Sequence, residues 1–162
     1  MIKLTTTHGT ILIELDHTKA PVTCANFEQY VREGHYDGTL FHRVIDEFMI
    51  QGGGLTPTLE TKPTRAPIVN EANNGLCNRI GAVAMARTAE PHSATAQFFI
   101  NVADNAFLDY PGQDGWGYCV FGRVVEGMDT VAAIKAVATG RRRGHSDVPL
   151  QDVLIEKAEL LP

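Results

Sequence analysis

The chain has 162 residues, 44% of them hydrophobic and 20% charged, which supplies a packed core and excludes a disordered polypeptide. Gly 15 and Pro 8 lie near average usage, so collagen-like and low-complexity classes are excluded as well. Fourteen Lys and Arg against 19 Asp and Glu give a formal net charge of −5; a phosphate backbone repels such a molecule as a whole, and nucleic acid is not an expected partner.

Ile2 and Leu4, then Ile11, Ile13 and Leu15, alternate with their neighbours around a His8-Gly9 turn, which predicts an antiparallel hairpin. Pro21 suits a first helical position, and Val22, Ala25, Phe27, Tyr30 and Val31 recur at helical spacing until Gly34 ends the segment. Short apolar runs at 40–45 and 48–51 flank Asp46-Glu47 and read as two strands around a tight connection, closed by Gly52-Gly53-Gly54. Residues 52–79, rich in Pro, Thr and Asn, form a long surface excursion. Strands follow at 81–86, 97–102 and 120–125, the first two separated by a polar loop. A second helix is expected over 128–137, and 148–160 alternates again as one closing strand. Arg141-Arg142-Arg143 reads as a solvated turn.

Strands outnumber helices with no βαβ rhythm, so the sheet is antiparallel, and a closed barrel with helical plugs is the simplest way to hide its edges. One domain over 1–162 is expected. The start turns polar after four residues, without the apolar region of a secretory signal, and no apolar run approaches a membrane span, so no membrane partner is expected. Cys24, Cys77 and Cys119 are odd in number and widely spaced. They signal neither a disulfide framework nor a zinc site, read as small buried or half-buried hydrophobes, and fit a reducing cytoplasm.

Strand parity groups the candidate functional residues: Phe41, Arg43 and Ile45 on one face, Met49 and Gln51 on another, and Gln97, Phe99 and Asn101 on a third. Each set mixes large apolar groups with a donor that is costly to bury unpaired, which points to an apolar groove with a few polar groups aimed into it. Nucleotide-binding, metalloprotease, EF-hand and nucleophile-elbow motifs are absent, so no cofactor or metal is expected. His42 has the opposite parity from Arg43 and reads as structural, and His92 as a loop residue without a role.

The blocks Phe41-His42-Arg43-Val44-Ile45, Phe48-Met49-Ile50-Gln51-Gly52-Gly53, Met85-Ala86, Gln97-Phe98-Phe99-Ile100 and Val120-Phe121-Gly122-Arg123-Val124 resemble the cyclophilin peptidyl-prolyl cis-trans isomerases in order and spacing. Residues 70–76, 91–97 and 115–118 look like the short bacterial cytoplasmic type. The resemblance implies a mainly β fold, an eight-stranded antiparallel closed β-barrel capped by two α-helices, with the active groove on the barrel's outer surface. It implies rotation about X–Pro bonds in peptides and in unfolded or folding proteins, with Arg43 as the donor to the twisted imide nitrogen and Gln51 holding the substrate carbonyl and orienting Arg43. It assigns the proline ring to Phe48, Met49, Phe99 and Leu108, strand-like pairing to the Ala86-Arg87 backbone, and the groove lining to Gln97.

Three positions depart from the family pattern. Phe107 stands where Trp is frequent, which implies weak binding of cyclosporin-type inhibitors. Tyr118 stands where many members have His at the groove edge. Arg87 replaces a common Asn, and the loop after it is one residue longer. A monomer is expected. Residue by residue, the pattern also suits a proline-peptide binding module or chaperone, and more weakly a barrel with an internal small-molecule site; the isomerase alone needs Arg43.

Overall fold

In the computed structural model, which describes residues 1–162, β1 (Ile2–Thr6) and β2 (Gly9–Leu15) pair antiparallel with Ile2 opposite Ile13 and Leu4 opposite Ile11. All four side chains are fully buried, as the alternation requires. From β1 the sheet continues through β11 (Leu154–Leu160) to the two-residue β3 (Thr39–Leu40). From β2 it runs in the other direction through β8 (Val120–Glu126), β6 (Ala82–Met85), β7 (Phe98–Asn101), β5 (Met49–Gly52) and β4 (Arg43–Ile45).

The two ends of this sheet, β3 and β4, are separated along the chain by Phe41 and His42 alone. The sheet is thereby forced to curl onto itself. The antiparallel barrel class is the expected one, with nine strands in the ladder order rather than eight, and its seam is bridged by Phe41-His42 instead of by a ladder. Neither residue is in a strand, so parity does not carry across them. Phe41 turns into the interior, fully buried, while Arg43 faces out; grouping them on one face is thus corrected.

Helix α1 (Pro21–Arg32) packs beside β11, and α2 (Met128–Lys135) beside β2, β4 and β5. Ala20 offers α1 no capping side chain, and the Glu71 carboxylate does so from the long excursion, accepting the Thr23 N–H at 2.7 Å, the Thr23 hydroxyl at 2.6 Å and the Val22 N–H at 3.3 Å. The expected strand over 148–160 is two strands. β10 (His145–Pro149) pairs with β9 (Thr139–Arg142), and β11 begins only at Leu154. Pro149 has no N–H with which to extend a ladder. Arg141 and Arg142 therefore lie in a hairpin strand, with Arg143-Gly144 at its turn.

An aromatic cluster fills the barrel. Phe27 of α1 meets Tyr36 at 5.0 Å, Phe121 at 5.1 Å and Phe98 edge-on at 5.4 Å, and Phe98 meets Tyr36 and Phe41 edge-on. The Tyr36 hydroxyl donates to the Ala96 carbonyl at 2.7 Å. Side chains occupy the space that an internal ligand site would need. Cys24 and Cys119 are buried as expected, whereas Cys77 is exposed, because the loop carrying it lies on the surface.

His42 is 7% exposed and its Nδ1 has no hydrogen-bond partner. Burial, aided by the nearby His145 and Arg43, pushes its pKa down to about 4 from an ordinary 6.5. The unfolded chain takes up that proton more readily than the native one. The neutral imidazole's contribution is therefore complete above pH 6.5 and lost as pH falls towards 4. The unfolding free energy is expected to drop by about 3 kcal/mol more across this window in the parent than in His42→Asn, as measured by denaturant titration at a series of pH values. Parallel profiles for the two proteins would contradict it.

Candidate active site

Residues directly opposite each other in a ladder share a face, and one such row crosses five strands. Arg43 of β4 faces Gln51 of β5, which faces Phe99 of β7, then Ala84 of β6, then Val120 of β8. This row lies on the outer side of the barrel. The alternate residues Val44, Ile50, Phe98, Val83 and Phe121 enter the main core, while Met49, Ala82, Ala84, Ala86, Phe99, Leu108 and Val120 form a second apolar cluster outside. Three alanines in β6 and its extension leave the floor of that cluster low. Phe48, stacked on Phe107 at 5.8 Å, and Tyr118, edge-on to Phe99 at 5.9 Å, rise around it.

The result is a groove of about 420 Å³. Ten of the eleven expected residues line it: Arg43, Phe48, Met49, Gln51, Ala86, Arg87, Phe99, Phe107, Leu108 and Tyr118. The eleventh, Gln97, stands one step behind. Arg43 Nη1 donates to Gln51 Oε1 at 3.3 Å, and Gln51 Nε2 donates to Gln97 Oε1 at 3.0 Å. Gln97 lies directly over Gly54, where a Cβ would come within 2.4 Å of its side chain. The third glycine of the Gly52-Gly53-Gly54 run thus makes room for this relay.

Asn101, which parity grouped with Phe99 as a donor into the groove, is fully buried beneath it. Its Nδ2 donates to Asn78 Oδ1 at 3.1 Å and to the Ala82 carbonyl at 3.0 Å, and Asn105 Nδ2 donates to Asn101 Oδ1 at 2.8 Å and to the Phe48 carbonyl at 2.9 Å. Asn78 donates in turn to Asp109 Oδ1 and to the Tyr118 carbonyl. This satisfied amide chain ties together the segments that carry Phe48, Leu108 and Tyr118. Nothing in the local sequence pattern marks it, since its side chains come from two segments more than twenty residues apart, around Asn78 and from Asn101 to Asp109. Gln113, Asp114 and Gly117 also line the groove without having been expected. His92 does have a role: its Nδ1 accepts the Asn70 N–H at 3.0 Å, and its ring meets Trp116 edge-on.

The groove holds no Ser, Cys or His, and no three His, Cys, Asp or Glu side chains converge anywhere in the chain in a metal-binding arrangement. What it offers is an apolar concavity with the Arg43 guanidinium and the Gln51 amide along one side, the amide backed by Gln97. The chain matches the family model for cyclophilin type peptidyl-prolyl cis-trans isomerases over residues 1–160. The chain belongs to the cyclophilins.

Relatives of this cyclophilin include peptidyl-prolyl cis-trans isomerase cyp18 of Streptomyces antibioticus, 62% identical over 99% of this chain and 98% of the relative. Peptidyl-prolyl cis-trans isomerase B of Escherichia coli is 60% identical over 96% of each chain. Among solved structures, a Cryptosporidium parvum cyclophilin, determined in the presence of the dipeptide Ala-Pro, is similar with a TM-score of 0.84 and 25% identity over 99% of this chain and 98% of that one. This cyclophilin is a peptidyl-prolyl cis-trans isomerase of the short bacterial type. None of its helices is long and apolar enough to cross a membrane.

Proposed function

We propose that the outer groove is where this isomerase works, that a proline ring seats on Met49, Phe99 and Leu108 beside Phe48, and that Arg43 drives the rotation. The observation that carries this reading is the single row Arg43, Gln51, Phe99 across three adjacent strands. It puts a charged donor at the rim of an apolar hollow on the barrel's outside, lined by Phe48, Met49, Phe99 and Leu108, that is large enough for a proline ring.

Amide resonance hinders rotation about X–Pro by about 18–20 kcal/mol. At the top of that barrier the imide nitrogen has become pyramidal and has regained its lone pair. A hydrogen bond offered to this nitrogen exists only in the transition state and so lowers the barrier without trapping either ground state. Arg43 suits the task because it donates only and stays charged. Gln51 fixes one arm of the guanidinium through its Oε1 and is itself held by Gln97, leaving the other donors free to turn to substrate. An acceleration of about 10⁵ asks for roughly 7 kcal/mol, more than one bond in water supplies. The dry floor of Met49, Phe99 and Leu108 and a carbonyl anchored at Gln51 share the work.

The substrate chain pairs as an extra strand beside Ala86-Arg87. Ala86 donates its N–H to the Gln97 carbonyl at 3.0 Å, while the N–H and carbonyl of Arg87 take part in no hydrogen bond within the chain. By the same reading, proline-containing peptides and unfolded or folding proteins are the substrates, and three unpaired cysteines suit a cytoplasmic setting. The reading is tested by following a proline-limited refolding reaction: the chain speeds its slow phase, and the speeding disappears with Arg43 replaced. A slow phase unaffected by the intact chain would refute it.

Phe107 is 54% exposed at the groove's rim. Exchanging it for Trp adds apolar area and an N–H at the place where a cyclic inhibitor lies, but nothing at Arg43. Phe107→Trp should therefore tighten cyclosporin binding about tenfold, worth about 1.4 kcal/mol, with peptide turnover within about twofold of the parent. Titration calorimetry and a peptide assay read the two separately, and an unchanged inhibitor affinity would count against the assignment of Phe107.

A further inference from the structure

The side chain of Arg87 is only 3% exposed although it borders the groove. Its Nε and Nη2 donate to the Gly117 carbonyl at 3.1 and 2.9 Å, Nη1 to the Thr88 carbonyl at 2.9 Å, and Nη2 also to Asp114 Oδ2 at 2.6 Å. Its Cζ lies 4.3 Å from the centre of the Tyr118 ring. Four of the guanidinium's five N–H donors are engaged within the protein, so it acts chiefly on the protein and not on a substrate.

Asp114 completes the arrangement from the far side of the loop. Its Oδ1 accepts the backbone N–H groups of Trp116 and Gly117, each at 3.1 Å. These bonds, Gly117's first, together with Arg87, hold its carboxyl down at about 2. Gly117 is pressed against the chain it faces, with a Cβ there 2.5 Å from the Leu108 carbonyl, and the Tyr118 N–H donates to that same carbonyl at 2.8 Å. In this loop Gln113, Asp114 and Gly115 are exposed, and its apolar anchor is Trp116, half-buried and edge-on to His92 and Tyr110. Alongside Trp116 and the neutral bonds from Asn70 Nδ2 to the Gly117 carbonyl and from the Tyr118 N–H to the Leu108 carbonyl, the charge-assisted bonds of Arg87 and Asp114 tie the exposed stretch to the end of β6.

We infer that Arg87 and Asp114 are positioning residues which clamp the 112–118 loop to the end of β6 and so set where Tyr118 and Leu108 stand as one wall of the substrate groove. This rests on the groove being the substrate site. Arg43, Gln51 and Gln97 lie on the other side of that groove and touch neither clamp residue. Loosening the wall thus weakens substrate binding and spares the rotation step.

The test compares Asp114→Asn, Arg87→Gln and the double variant with the parent, using NMR exchange on a prolyl tetrapeptide to obtain kcat and KM. Each single variant should raise KM roughly tenfold with kcat within about twofold, and the double variant should be no worse than the worse single. Trp116 is the only tryptophan in the chain, so its emission reports the loop directly and should become more accessible to acrylamide in all three. Asp114 is exposed and its amide keeps the shape and an acceptor, so that variant folds even if Arg87→Gln does not. Unchanged KM in Asp114→Asn, or losses confined to kcat, would overturn the clamp. Arg43→Ala serves as the reference: if it retains full turnover, the groove reading itself has failed, whereas a normal Arg43 effect with silent clamp variants condemns the clamp alone.

Discussion

Arg43→Ala is expected to lower kcat/KM for a prolyl tetrapeptide by about 10²- to 10³-fold, the usual penalty for removing one donor to a developing lone pair or charge. Arg43 is an exposed residue on the short strand β4, and its Nη1 meets Gln51 alone among side chains. Its removal leaves no buried group unpaired, so the fold should survive with a denaturation midpoint close to the parent's. Binding of the same peptide, read by chemical-shift titration, should weaken by no more than about threefold, because the apolar floor of Met49, Phe99 and Leu108 is untouched. Arg43→Lys keeps the charge but loses the planar fork and the donor aimed past Gln51, and an intermediate loss of roughly tenfold is expected. Retention of full turnover by the alanine variant would end the mechanism proposed here, and the groove would then be a binding surface whose catalysis comes from elsewhere.

Neighbouring phenylalanines on β7 should fail in opposite ways. Phe98 is fully buried in the barrel, edge-on to Phe27, Tyr36 and Phe41. Phe98→Ala empties the middle of that aromatic cluster, where no loop can collapse into the space, and should cost about 3–5 kcal/mol of stability. For a domain whose whole margin is about 5–15 kcal/mol, this brings unfolding close to working temperature. Phe99, one residue on, points outward into the groove cluster. Phe99→Ala opens a space that water and the Tyr118 ring can enter, so the stability cost is smaller, while the proline ring loses its main wall and kcat/KM falls by one to two orders of magnitude. Guanidinium denaturation and peptide kinetics on the two variants check the contrast. Equal stability losses, or turnover more sensitive to Phe98 than to Phe99 in the folded variants, would show that the faces of β7 have been assigned wrongly.

Elements with one buried face were legible from the chain alone. The β1–β2 hairpin, α1 and α2 lie where alternation or helical spacing places them, because burial on one side imposes a period that the sequence must carry, whereas β4 to β8, of which β6 and β7 are buried on both faces, lie in short apolar runs without such a period. Most of the site was legible as well, chiefly through motif blocks of a known family rather than through any period. The β9–β10 hairpin was not: Thr139-Gly140-Arg141-Arg142 is exposed or half-buried throughout and shows no apolar alternation. Strand β3 is too short to have a period at all.

The same reason separates what the sequence by itself determined from what only the tertiary structure decided. Local order determined which faces are apolar, which donors share a face with them, and the family to which the chain belongs. The seam at Phe41-His42, the buried Asn78, Asn101 and Asn105 chain, and the withdrawal of the Arg87 guanidinium from the groove into the Asp114 loop were decided only when the sheet curled and the loops packed. Each depends on pairing between segments distant along the chain. Within an unbroken strand, alternation fixes the face a side chain occupies, but where strands end, as at Phe41-His42, and whether a side chain meets substrate or another part of the protein depend on partners that no local pattern encodes.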